Sequence, residues 1–456
     1  MVDFAKALAA IVGEENVASG DGIVDDYTHD EALTATPQRP AHLVRPGNTA
    51  EVAEVLTLAS EAGVPVTARG SGSGLVGACI PRPDGVLVSF ERMASVVEID
   101  EANSVAVVQP GVTLQALDEA TRPHGLLYPV YPGEYSASLG GNVATNAGGM
   151  RAVKYGVTRN QVLGLEAVLA TGEVVRTGGK FVKSSSGYDL TQLIIGSEGT
   201  LALVTEATLR LHPRLAHQAT ILAPFTAVAE IVSAIPDIVR SGVGPVILEY
   251  IDFLTMSAIT GRVGLDLGIP EDIKTNAMAY LVVMLENAQG DRLDEDVERL
   301  GTMLGDMGAL DVYVLPPGAA VSLIEAREQA FWVAKANGAD DIVDVVVPRA
   351  SLPAYMAQVQ ELSTAHESFI VGCGHAGDGN VHLSVFQPDV GKRKAVIRAL
   401  LETGIALGGA ISGEHGIGTE KRHDFLDLEE PMKIILMRRI KEAFDPEGIL
   451  NPGVMV

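Results

Sequence analysis

Glycine is concentrated in this chain, not spread through it. The 49 glycines among 456 residues crowd into a few stretches: Arg69–Gly77 (RGSGSGLVG), Pro132-Gly133-Glu134, Ser138–Gly149 (SLGGNVATNAGG), Gly196–Leu201 (GSEGTL), Gly374–Gly379 and Gly413–Gly418. Glycine weakens helices and strands, and it permits turns and close backbone approach. A fold built on such a chain must therefore interrupt its regular elements at these places and present bare backbone there.

The first stretch contains Gly72-Ser73-Gly74-Leu75-Val76-Gly77, a literal G-x-G-x-x-G. A dinucleotide-binding βαβ unit needs that loop to open directly into a helix whose N-terminus holds the pyrophosphate. Here Ile80-Pro81-Arg82-Pro83-Asp84-Gly85 follows, and two prolines one residue apart will not carry a helix. The Rossmann reading fails on context. What survives is a run of small residues whose N–H groups can approach an anion, with Arg69 beside it; a tight surface turn is the alternative.

Around these stretches the pattern is mixed. Phe4, Leu8, Ile11 and Val12 make a helical stripe stopped by Gly13. Asn48 to Gly63 reads as a helix, with Asn48 and Glu51 as a capping box, Val52, Val55, Leu56 and Ala59 as the apolar stripe, and Gly63 as the stop. Strands are expected at Val64–Thr67, Val86–Phe90, Val96–Ile99 and Ser104–Gln109, and a helix at Thr113–Thr121. A hairpin should turn at Thr171-Gly172, between Val162–Ala170 and Glu173–Arg176. After Pro213 longer helices alternate with single strands at Val246–Ile251, Ala279–Leu285, Ile342–Val347 and Phe369–Cys373. The class is α+β. The boundaries fall at 1–215, 216–410 and 411–456, the last a glycine turn, two helices and Asn451-Pro452-Gly453.

Composition narrows the partners. A formal charge of −25 repels phosphate backbones and anionic headgroups, so nucleic acid is not expected, and a small anionic substrate would need a local positive island. Two cysteines, Cys79 and Cys373, make no disulfide framework and fit a reducing compartment. The longest apolar run, Ala277 to Leu285, is too short to span a bilayer. No basic start or cleavage site of a signal peptide is seen, so a cytoplasmic location is expected.

Gly374-His375-Ala376-Gly377-Asp378-Gly379-Asn380-Val381-His382 is the sharpest chemical signal. If the turn folds back as a hairpin, both imidazoles can converge. Ser412-Gly413-Glu414-His415-Gly416 adds a carboxylate and a third imidazole, and three of the ten histidines fall in these two segments. Two His and one Glu with an open position is a common catalytic divalent-metal set. The alternative is a pair of histidines on a solvated turn beside an unrelated acidic loop.

The ordered glycine stretches resemble the flavoproteins that share their FAD fold with vanillyl-alcohol oxidase and para-cresol methylhydroxylase. H-x-G-D-G-N-x-H followed by S-G-E-H-G resembles, within that fold, the FAD-dependent D-2-hydroxyacid dehydrogenases: D-lactate dehydrogenase, the glycolate oxidase catalytic subunit and D-2-hydroxyglutarate dehydrogenase. The resemblance covers nearly the whole chain. It implies an FAD-binding domain, an α+β cap domain, and a C-terminal segment closing the site. It assigns FAD to Arg69, Gly70, Ser71, Gly72, Ser73, Gly74, Leu75, Pro132, Gly133, Ser138, Gly140, Gly141, Asn142, Thr145, Asn146, Gly148, Gly149, Glu198, Gly199, Leu203 and Asn451. Phosphate contacts should fall to Arg69–Gly74, Gly140, Gly141 and Asn142, with Thr145–Gly149 near the flavin. Because the first loop offers Ser71 and Ser73 where some members carry a His or Cys link, FAD is expected to be non-covalent. The same resemblance makes His375, His382 and Glu414 ligands of a divalent metal, zinc first and manganese or iron as alternatives. It makes His415 the general base, and Arg327 in Glu325-Ala326-Arg327-Glu328 the carboxylate binder.

Two departures bear on substrate. Hydroxyglutarate enzymes carry a Lys where this chain reads Asp341-Ile342-Val343-Asp344, with Lys335 the nearest cation, and several relatives have Asn where this chain has Ser384. A second carboxylate would sit poorly beside Asp340, Asp341 and Asp344, which favours D-lactate or glycolate over D-2-hydroxyglutarate. With no nicotinamide signature, electrons are expected to leave to a quinone, a cytochrome or an electron-transfer flavoprotein, and a homodimer stays open. The competing readings are a non-catalytic FAD-binding subunit of a larger complex, and a metal hydrolase that leaves the N-terminal glycines unexplained.

Overall fold

The structure, a computed structural model, describes residues 4–456. Its N-terminal part has two sheets. Four strands form the first, in the order Val17–Ser19, His42–Val44, Val86–Ser89, Val66–Arg69. The first pair is antiparallel and the other two pairings are parallel. Helices Phe4–Val12 and Thr49–Ala62 cover it, burying Leu8, Val12, Val52, Val55, Leu56 and Ala59. The second helix carries the caps its sequence announces. Asn48 accepts from the Glu51 N–H, the Glu51 carboxylate returns to the Gly47 N–H at 2.7 Å, and Gly63 turns left-handed at φ 62°.

The second sheet is antiparallel, in the order Val96–Asp100, Val105–Val108, Leu203–Arg210, Val162–Val168, Val174–Gly178. The hairpin expected at Thr171-Gly172 lies in it, as do the strands expected at Val96–Ile99 and Ser104–Gln109. The Ser138–Gly149 stretch holds more order than its composition suggests, a helix at Leu139–Thr145. Ser138 caps it by accepting from the Gly141 N–H, and Asn146 ends it in the left-handed region. Gly140 is required by packing, since a Cβ there would come within 2.5 Å of Pro110 Cβ.

Strands between 217 and 386 build a seven-stranded sheet. Its order is Tyr313–Val314, His217–Phe225, Ala279–Asn287, Ile247–Asp252, Phe369–Gly374, Asn380–Phe386, Asp341–Val346, and every pairing is antiparallel. Alternation sends successive residues to opposite faces. Leu248, Tyr250, Val343, Val345, Val381 and Leu383 pack on one face under the helices Val228–Arg240, Gly290–Asp306, Leu352–Ala365 and Val390–Ala406. Ile251, Tyr280, Val282 and Cys373 pack on the other, under Phe253–Val263, Pro317–Glu328 and Ala330–Ala336. The strands His217–Phe225 and Asn380–Phe386 were not marked by the sequence pattern as separate elements. The chain then runs through 411–418 and the helices Arg422–Leu428 and Pro431–Phe444 back to the first sheet, where Leu450 bridges Val66. No helix of the described residues is long and apolar enough to cross a membrane.

Asn48→Ala should lower stability by about 1 kcal/mol, read as an earlier urea midpoint; an unshifted midpoint would show that tertiary contacts alone hold this helix.

Candidate active site

The His-containing turn does fold back. Cys373 pairs with His382 across the two strands, and Gly379, at φ 85°, closes the turn where a Cβ would meet Val347 O at 2.0 Å. The rings of His375 and His382 come to 4.8 Å between centroids. Glu414 Oε1 lies 3.1 Å from His375 Nε2 and 3.1 Å from His382 Nε2. The three donor atoms lie within 4.8 Å of one another. Their chemistry, two imidazoles and a carboxylate, fits a divalent ion with an open position.

A further buried carboxylate completes this set. Glu249 is fully buried, and its Oε1 lies 2.6 Å from His375 Nδ1, which fixes the ring with Nε2 toward the set. A metal-ligating His commonly has such a carboxylate behind it. The other oxygen of Glu249 lies 2.6 Å from Arg327 Nη2. Sequence reading missed Glu249; the signal was an isolated carboxylate inside the apolar run Val246–Ile251.

His415 stacks on His382, with centroids 5.0 Å apart and planes within 17°. Burial holds its imidazole down at about 4, so it is neutral near pH 7. Asp344, also fully buried, fixes the segment that carries it. Asp344 Oδ2 accepts from Ser412 Oγ at 2.7 Å and from the N–H groups of Gly413, Glu414 and His415 at 3.0, 3.1 and 2.9 Å.

Beside this set lies a glycine-lined cleft of about 190 Å³. Gly70, Ser71, Gly72, Ser73, Gly74, Leu75, Pro132, Ser138, Gly141, Asn142, Thr145, Gly148, Glu198 and Gly199 all line it. Gly133 lines the adjoining cavity. A Cβ at Gly148 would come within 2.5 Å of Glu414 Oε2, so the cleft and the His/Glu set are in contact. The exposed backbone of this wall is a cradle that a flat, phosphate-bearing cofactor such as FAD fits.

Six expected residues do not line the cleft; one of them, Gly149, lines a cavity beside it with Gly148, His375 and Glu414. Arg69 points away, donating from Nη1 to His29 O at 2.6 Å and packing over the Tyr27 ring. It braces the loop from the rear, and a Cβ at Gly72 would strike its guanidinium. Gly140 meets Pro110, and Gly149 passes against Tyr131 O. Asn146 accepts from the Arg159 N–H, and Leu203 is core. Asn451 donates from Nδ2 to Ala78 O and Glu198 O, both at 2.8 Å, tying two glycine loops together.

A second cavity, of about 280 Å³, opens from the His/Glu set toward the cap sheet and shares Leu75, Pro132, Glu414 and His415 with the cleft. Arg327 is the only arginine or lysine among the described residues lining it. The expected repulsion from Asp340, Asp341 and Asp344 is corrected here, because none of the three lines this cavity. Asp340 accepts from the Gln387 N–H, and Asp344 is spent on residues 412–415. Lys335 is turned away to Glu31 at 2.6 Å.

The sequence matches an FAD binding domain over residues 40–178 and the C-terminal domain of FAD linked oxidases over residues 214–455. It is 57% identical over 455 residues to an uncharacterized FAD-linked oxidoreductase of Mycobacterium tuberculosis H37Rv, covering 100% of this chain and 99% of that one. It is 36% identical to a D-lactate dehydrogenase of Archaeoglobus fulgidus, covering 95% and 96% of the two chains. Among solved structures, p-cresol methylhydroxylase superposes with a TM-score of 0.77 over 99% of this chain and 95% of that one, at 17% identity. That likeness speaks to the fold.

Asp30 puts a carboxyl in the glycine cleft; Oδ1 accepts from the Ala32 N–H, Oδ2 is buried without a partner, and burial pushes the group up to about 6. A carboxyl raised on folding contributes stability below its unfolded pKa that is lost as pH climbs through the folded one. Asp30→Asn should therefore gain on the native, flavin-free protein by about 1–2 kcal/mol between pH 5 and pH 8. Parallel unfolding curves at the two pH values would refute this.

Proposed function

Because this chain belongs to the FAD-linked oxidase family, we propose that it is an FAD-dependent dehydrogenase that oxidises a D-2-hydroxyacid to the 2-oxoacid. The observation that carries the reading is Glu414 Oε1 at 3.1 Å from both His375 and His382, against the glycine-lined cleft. FAD, when bound, supplies the hydride acceptor, and a divalent ion held by His375, His382 and Glu414 supplies Lewis acidity toward the substrate hydroxyl. Zinc suits two imidazoles and a carboxylate; manganese and iron are the alternatives.

The chain's own residues do the rest. Arg327 binds the substrate carboxylate, its buried Nε having no partner within the protein. Glu249 holds Arg327 and His375 in fixed relation. His415 takes the hydroxyl proton. Its Nδ1 lies on the side of Asp344, at 3.9 Å. FAD is held without a covalent bond: Cys79 lines the cleft, but burial pushes its thiol up to about 12, so it is no nucleophile. A monocarboxylate is favoured over D-2-hydroxyglutarate, since among the described residues lining the cavity Arg327 is the one arginine and there is no lysine. Electrons then pass to a quinone, a cytochrome or an electron-transfer flavoprotein.

Purified protein should be yellow and bleach anaerobically with a D-2-hydroxyacid. A protein that takes up no FAD, or whose flavin no hydroxyacid reduces after loading with divalent metal, would overturn the reading. His415→Asn should keep FAD and metal while flavin reduction slows by about two to four orders of magnitude; an unchanged rate would remove His415 from proton transfer. His375→Ala or His382→Ala should stay yellow and lose metal by elemental analysis, and chelation of the native protein should give the same inactive, reversible state.

A further inference from the structure

Resting on the hydroxyacid reading, we propose that the substrate carries a bulky apolar group on Cα, a branched aliphatic or aromatic side chain, in place of the methyl of lactate or the carboxyethyl of hydroxyglutarate. The sheet register sets out the argument. His382 pairs with Cys373 and Asp344. Two residues outward on the same face, Ser384 pairs with Val371 and Ile342; two further, Phe386 pairs with Phe369. Successive rows on one face are about 7 Å apart. A substrate held between Arg327 and the His/Glu set therefore has its Cα substituent directed at rows that turn apolar within one step.

The opposite wall repeats this character. Leu254 and Ala258 of the helix Phe253–Val263, and Phe331 and Ala334 of the helix Ala330–Ala336, face the same cavity. The polar side chains along this part, Ser384, Thr255 and Asn337, are uncharged. A distal carboxylate would meet no cation here and would lose its hydration without recompense. A methyl would stop short of the rows beyond Ser384 and leave Phe369 and Phe386 without contacts.

The cavity's outer end keeps this character. Phe369 and Leu254, which line it, are 51% and 49% exposed, and Phe369 packs against Phe386 with centroids 5.5 Å apart. The apolar end of the substrate extends over these side chains.

The test uses the FAD- and metal-loaded enzyme and reads anaerobic flavin reduction by D-lactate, D-2-hydroxyisocaproate, D-3-phenyllactate and D-2-hydroxyglutarate. One methylene in an apolar pocket is worth about 10–200-fold in specificity, so kcat/KM for isocaproate or phenyllactate should exceed that for lactate and hydroxyglutarate by tenfold or more. Lactate or hydroxyglutarate matching both larger acids would overturn this inference and leave the dehydrogenase reading standing. No reduction by any of the four would overturn both. As a readout apart from turnover, 4-methyl-2-oxopentanoate should perturb the flavin spectrum at tenfold lower concentration than pyruvate; equal affinities would count against the pocket. Phe386→Ser should shrink the ratio of phenyllactate to lactate by about tenfold, and an unchanged ratio would remove this wall from substrate selection. Should that variant lose its flavin, the native series still decides.

Discussion

Asp344 is the interaction on which the site depends. It has no exposed surface and sits directly across the sheet from His382. Its carboxylate accepts from Asn380 Nδ2, Ser412 Oγ and three consecutive N–H groups, with Lys421 Nζ at 3.8 Å. A buried carboxylate without such donors is strongly disfavoured, and charge-assisted bonds of this kind are among the stronger ones in proteins. Residues 412–415 therefore have one favourable place to lie, and that place sets Glu414 and His415 against the ring of His382.

The same segment is gripped from the other side. Glu198, in the GSEGTL loop, accepts from the N–H groups of Ile417 and Gly418 at 2.6 and 2.7 Å. Asn451 holds the backbone of Glu198 and of Ala78. Two buried carboxylates, one from the seven-stranded sheet and one from the glycine cleft, thus anchor the neighbouring stretches 412–415 and 417–418. Gly416 and Gly418 make this possible: at Gly418, φ 54°, a Cβ would come within 1.9 Å of Val76 O. The glycines at 413–418 serve the joint between the two halves of the site, which is why they accompany Glu414 and His415 in the sequence.

What the sequence made legible follows from what each signal encodes. Caps and periodicity are local, so the helix over 49–62 and the hairpin at Thr171-Gly172 were readable from a few residues each. The histidine turn was readable because glycine framing and spacing restrict a hairpin strongly. Side-chain direction was not local. Asp344 looked like a wall of the substrate pocket, but period-two alternation gives a face and not what covers it, and residues 412–415 cover it. Arg69 looked like an anion binder because it adjoins the loop; its partners, Tyr27 and His29, lie some forty residues earlier and left no mark near it. Glu249 was hidden for the converse reason: its strand reads as apolar, and its partners His375 and Arg327 are distant in sequence.

On the proposed hydroxyacid reading, Glu249 also accounts for how an acidic chain receives an anionic substrate. The chain carries a net charge of −25, and one arginine lines the cavity among the described residues. An unpaired Arg327 buried to this depth would be costly, and one paired bidentately to a protein carboxylate would have its charge largely neutralised and part of its fork already taken. Glu249 takes an intermediate course, offering one oxygen to Arg327 and the other to His375. The guanidinium is stabilised yet keeps its buried Nε free of protein partners. In a 2-hydroxyacid the carboxylate and the hydroxyl are borne on adjacent carbons, so the groups that receive them must be held at a fixed spacing. A carboxylate shared between the arginine and the histidine supplies that spacing, and no motif spanning either residue alone would reveal it.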